Sequence, residues 1–176
     1  MVTPAHERLT ISNEGYPLSD FDCRVLVFLN VEYNEREEKP KTASIPLHGY
    51  YTAQKMTGNL TGELAILTNQ EITEGNKKKA DQTEINFNRF AFERNASGDT
   101  DIERYVKVSY NDIFNIPHEE VYMVSIYFGG RGQKLSEEEG KKIIEDWDSK
   151  YRQHFSLDFS EISPASIYEI VNISNR

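Results

Sequence analysis

Four histidines, one cysteine and 29 acidic residues supply most of the groups with which this chain could do chemistry. His6, His48, His118 and His154 are scattered, with no i, i+4 pair and no second cysteine, so the ligand spacing of a zinc site is missing. His118-Glu119-Glu120 lacks the second histidine of a zinc-protease helix. His48, between Leu47 and Gly49, has the best context for a general base, and His118 is the other candidate. Both also fit as ordinary structural or surface histidines. Cys23 opens a hydrophobic run, and only Arg24 beside it would lower its pKa, so a buried and inert thiol is expected. No Gly-x-Ser-x-Gly nucleophile elbow occurs.

Two loops invite a ligand reading. Gly129-Gly130-Arg131-Gly132 follows an apolar run and precedes a helix pattern, and backbone N–H groups at a helix start bind anions, with Arg131 and Lys134 to assist. The helix opens on Ser136 and three glutamates, however, which would repel a phosphate, and Gly-Lys-Ser/Thr is absent. Asn95, Ser97, Asp99, Asp101 and Glu103 set oxygens on alternate residues as calcium loops do, but Gly98 is misplaced and no bidentate glutamate follows. No metal and no cofactor is expected. Exposed aromatics carry the strongest functional hint. Tyr16, Tyr50, Tyr51, Tyr105 and Tyr122 fall near turns or on the outer parity of strands, where tyrosines line core rims or protein interfaces. The candidate binding set is therefore Tyr50, Tyr51, His48, Tyr105, Tyr122 and Arg131.

The elements that must hold these residues read mostly as strands. In Arg24 to Tyr33, Val25, Val27, Leu29 and Val31 share one face, while Leu26 and Phe28 take the other. Pro46 demotes Thr42 to Tyr51 to a sheet edge. Glu63 to Thr68 is a short strand, and Arg104 to Tyr110 alternates with Val106, Val108 and Tyr110 inward and Tyr105 outward. Val121 to Phe128 is a strand covered on both faces. Glu84 to Arg94 puts Ile85 and Phe87 on one parity and Phe90 and Phe92 on the other, which a β-bulge near Asn88-Arg89 would reconcile, the rival reading being a strand buried on both faces. Ser166 to Ile173 reads as a last strand. One helix is clear. Ser136 and Glu139 form a capping box, and Ile143, Ile144, Trp147, Tyr151 and Phe155 make an apolar stripe.

The expected fold is mainly β with an α+β tendency: an antiparallel β-sandwich or curled sheet of about 6–8 strands with one amphipathic helix over 136–155 packed on it. Residues 1–20 read as an N-terminal arm or loosely docked segment, and 21–176 as a single β-rich domain. A formal net charge of −9 excludes the basic stripe of a nucleic-acid binder. No apolar run reaches the roughly 18 residues of a membrane span. The start of the chain lacks the apolar core of a signal peptide, and one cysteine allows no internal disulfide. An intracellular setting is therefore expected, with secretion by a signal-less route still compatible. The functional expectation is a non-catalytic protein-binding or assembly module, either a structural component or an inhibitor or immunity-type protein, with protein partners including its own copies. The alternative is a small-molecule-binding protein or hydrolase with a cavity between sheet and helix.

Overall fold

A computed structural model describes residues 2–5, 8–33, 41–46, 51–52, 60–68, 82–83, 85–86, 89–90, 92–93, 99–124, 132–154, 158, 160–163, 166–167 and 169–170. Its organising element is β2 (Arg8–Tyr33), 26 residues long, where strands usually run to about five or six. Such a strand stays paired by changing neighbours along its length. Its first half pairs with β1 (Val2–Ala5) and β5 (Leu60–Thr68), and its second half with β3 (Lys41–Pro46) and β6 (Asp99–Asn111). The change occurs at two register breaks, Asn13 to Leu18 and Ser19 to Asp22. Asp20, inside the second break, adopts a φ of 50°, a left-handed conformation that aspartate tolerates better than most residues.

The second half of β2 anchors a five-stranded antiparallel sheet in the order β3-β2-β6-β7-β8, with β7 at Pro117–Val124 and β8 at Gly132–Lys134. β4 (Tyr51–Thr52) extends the other ladder through β5. Within residues 1–20, β1 and the start of β2 pair in the sheet, and Ile11 lies in an apolar cluster. Among the described residues β3 pairs with β2 alone and ends at Pro46, as a proline at a sheet edge should.

Alternation from Leu26 to Val31 sends the apolar residues of β2 into two clusters. Val27, Leu29 and Val31 meet Ala43, Ile45, Phe90, Ile167 and Ile170 on one face. Leu26 and Phe28 meet Tyr105, Val121 and Trp147 on the other. A third cluster joins Ile11, Phe21, Cys23, Val106, Val108 and Val124, drawing on both ladders. Each fully buried aliphatic or aromatic side chain here contributes about 1.5–3 kcal/mol.

The first face is covered by residues expected in strands. Residues 82, 83, 85, 86, 89, 90, 92 and 93 are helical, as are 166, 167, 169 and 170. The bulged strand over Glu84 to Arg94 and the last strand over Ser166 to Ile173 are both overturned. Thr83 and Phe90 are buried and Asn86 half-buried, a helical spacing of three and four, while Ile85 and Phe92 stay exposed at 57% and 67%. Pairs four residues apart confirm the turn: Gln82 donates to Asn86 at 2.7 Å, and Arg89 meets Glu93 at 3.0 Å.

The opposite face is covered by α1 (Glu137–His154). Its start is the expected capping box: the Glu139 N–H donates to Ser136 Oγ at 3.3 Å, and the Ser136 N–H donates to Glu139 Oε2 at 3.0 Å. Gly140 lets the helix settle, since a Cβ there would lie 3.1 Å from the Val121 side chain. Arg24 ties the far half down, with its guanidinium 5.7 Å from the Trp147 ring centre and 3.3 Å from Asp148. No described helix is long and apolar enough to cross a membrane.

Candidate functional site

The β6–β7 hairpin concentrates what the described surface offers. Its turn runs from Asp112 to Ile116, closed by Asp112 N–H to the Ile116 carbonyl at 3.0 Å and Asn115 N–H to the Asp112 carbonyl at 2.9 Å. Asn115 takes the left-handed position at φ 61°, which suits asparagine. The Asp112 carboxylate accepts the N–H groups of Phe114 and Ile116, both at 2.9 Å. Its other oxygen lies 3.0 Å from His118 Nε2. The His118 hydrogen bond is the main cause holding the Asp112 carboxyl below its ordinary pKa, with the two backbone donors adding to it. On this fixed turn Ile113, Phe114 and Ile116 stand 54%, 76% and 51% exposed.

Behind the turn lies a row of polar side chains. His118 stacks on Tyr110 at 5.1 Å and 22°. The Tyr110 hydroxyl donates to Glu120 Oε1 at 3.1 Å, the Lys134 ammonium donates to the same oxygen at 2.6 Å, and the Tyr122 hydroxyl donates to Oε2 at 2.5 Å. Partial burial pushes the Glu120 carboxyl up, but Lys134 and the two phenols outweigh it and hold the pKa below its usual value. A carboxylate kept ionised by three donors is a poor proton acceptor. The His118–Asp112 pair likewise has no nucleophile: among the described residues no hydroxyl or thiol bonds to the His118 ring. This row ties β6, β7 and β8 together through the Glu120 carboxylate.

A cleft of about 590 Å³ opens beside it, between β7, the end of β8 and the start of α1, lined by His118, Glu119, Glu120, Lys134 and Gly140 among others. It lies between sheet and helix.

Of the candidate residues, Tyr122 is half-buried in this row. Tyr105 does not fit the exposed-tyrosine reading. It is 6% exposed, packed edge-on against Phe28 under α1, with its hydroxyl donating to Glu103 at 3.0 Å. Its outward parity points at the helix, not at water. Tyr51 belongs to β4. His48, Tyr50 and Arg131 lie outside the described residues, as do Asn95 and Ser97. Asp99, Asp101 and Glu103 belong to β6 rather than to a loop, and no group of metal-binding side chains forms among the described residues. Gly132 begins β8, so a strand separates the glycine run from the helix start. Sequence reasoning missed the apolar turn, although Ile113, Phe114 and Ile116 beside Asn115 and Pro117 placed three large apolar groups where a turn had to be.

Cys23 is buried, and desolvation followed by the Asp22 charge pushes its thiol up to about 11. Burial, then neighbouring carboxylates, also raises Tyr105, Tyr110 and Tyr122. The folded chain thus holds protons that the unfolded chain releases near its ordinary values, about 8.5 for cysteine and 10 for tyrosine. Stability from these groups is complete below those values and falls as pH rises through them. Urea midpoints are expected to hold between pH 7 and 8 and to fall steadily above about pH 9; a flat profile to pH 11 would contradict these environments.

Comparison of the chain with family models, curated proteins and solved structures found no match.

Proposed function

We propose that this chain is a non-catalytic protein-binding module whose contact surface centres on the tip of the β6–β7 hairpin. The observation that carries this reading is Ile113, Phe114 and Ile116, held in water by a turn whose backbone donors Asp112 satisfies. Clustered exposed apolar groups on a rigid support are a common mark of protein contact. The surrounding scaffold fits the role: β1 lies against β7 and β8, in keeping with a sheet curled about the Val106–Val108 cluster that presents the hairpin end outward. A net charge of −9 favours a basic partner, as an inhibitor or immunity-type protein would have; a structural component contacting its own copies is the other form of the same reading.

The test replaces all three tip residues with serine and compares partner capture and solution mass with the unchanged protein. Fold retained and a partner or self-association lost is the expected outcome. Identical capture and mass in both would reject the tip.

The cleft supports a second reading, a small-molecule site with His118 as base. Ester or phosphoester turnover that disappears in His118→Ala would favour it over the first.

A further inference from the structure

We infer that the outer edge of β7 over Pro117–Glu120 is a groove for strand addition, and that its occupant is an extended, basic peptide segment of a protein partner. The inference rests on the protein-binding reading and names the chemistry of the partner.

The walls of the cleft define its use. One wall is five consecutive residues, Pro117 to Val121, so a strand edge lines it rather than one side-chain face. The other wall is Glu137, Gly140, Lys141 and Ile144, spaced i, i+3, i+4 and i+7 along one side of α1. β8 covers β7 only at Tyr122 to Val124, and Leu135 adds one bond, its N–H donating to the Val121 carbonyl at 2.9 Å. That bond shows which way the backbone points. Because backbone groups alternate sides, the Glu119 N–H and carbonyl and the Pro117 carbonyl face the cleft. Among the described residues no strand pairs with them. An incoming strand would find one donor and two acceptors at ladder spacing, beside a helix that fixes its side chains. Pro117, lacking an N–H, marks where the ladder must end.

Charge selects the occupant. The cations on the walls are already matched, Lys134 with Glu120 at 2.6 Å and Lys141 with Glu145 at 3.9 Å. Glu119 meets Lys107 of β6 at 2.5 Å but remains half exposed, and His118 is taken by Asp112. Glu137 has no cation among the described residues. A second copy pairing antiparallel about Glu119 through this edge would set that carboxylate against its own duplicate, which a ladder disfavours. A strand that sets a lysine beside Glu137 meets that unmatched carboxylate instead, with the half-exposed Glu119, already bonded to Lys107, next along the edge.

The probe is the peptide acetyl-Lys-Val-Lys-Val-Lys-Val-amide, titrated into the full chain while backbone amides are followed by NMR. Shifts at 118–121 and 137–144 are expected. Affinity should fall at least about tenfold on N-methylating alternate residues, which removes ladder donors. The Glu-Val counterpart should leave those amides unmoved, and the variant E119K/E137K should reverse the preference. Unmoved edge amides, shifts elsewhere, or equal binding of the N-methylated peptide would overturn the inference. The tip variant separates the two claims. If partner capture depends on the tip while the peptide leaves the edge unmoved, the protein-binding reading stands and the groove fails; if capture also ignores the tip, both fail.

Discussion

Trp147→Ala is expected to cost about 3–5 kcal/mol of unfolding free energy, near the top of the range for a single core truncation. The indole is 4% exposed and sits at the centre of the only cluster that joins α1 to the sheet among the described residues. It meets Phe28 edge-on at 5.2 Å and 87°, and Phe28 meets Tyr105 edge-on at 6.0 Å and 81°. Removing it leaves a void between Leu26, Phe28 and Val121, ends the aromatic contact and takes the ring away from Arg24. The helix cannot settle into the gap, because Gly140 already brings it against Val121. Guanidinium unfolding followed by circular dichroism checks this, since the chain has no other tryptophan. A loss below about 1 kcal/mol would mean that α1 does not depend on this contact for its seat.

Why α1 was legible and its counterparts on the other face were not follows from where each signal lies. Ser136 and Glu139 announce a start within four residues, and the stripe through Ile143, Ile144 and Trp147 has only one periodicity. Alternation likewise separated Val27, Leu29 and Val31 from Leu26 and Phe28, because strand geometry leaves no other choice. In 84–94 the apolar pairs Ile85/Phe87 and Phe90/Phe92 suggest a two-residue period, yet Ile85 and Phe92 are exposed and Phe90 is buried. Among the described residues the buried positions 83 and 90 are polar and aromatic in turn, so hydrophobicity alone did not mark the buried side. Around Ser163 the signal was present and misjudged. Ser-Pro is a helix-start pattern, and Ser163 does accept the Ser166 N–H on its hydroxyl and the Ile167 N–H on its carbonyl. Tyr105 failed for a different reason: parity says which face a side chain takes, but whether a helix covers that face is a long-range fact. The hairpin row was illegible on the same ground, since Glu120 meets Tyr110 and Lys134 only through strand register.

Phe90→Ala carries the second large expected loss, about 3–5 kcal/mol, and it tests the corrected side of the fold. Phe90 is 2% exposed and packs with Val27, Leu29, Val31, Ala43, Ile45, Ile167 and Ile170. The side chain closes the face of β2 opposite to the one that holds Trp147, and the two clusters share no residue. Mutations with no shared partner add to within about 0.5 kcal/mol. The double variant F90A/W147A should therefore lose the sum of the single losses, provided each single variant still unfolds in one step. Phe92→Ala supplies the control: its side chain is 67% exposed, so the change should stay within about 0.5 kcal/mol. A strand buried on both faces would make the two phenylalanines nearly equal. A helix that turns Phe90 inward and Phe92 outward separates them by several kcal/mol, because only one of the two rings leaves water on folding.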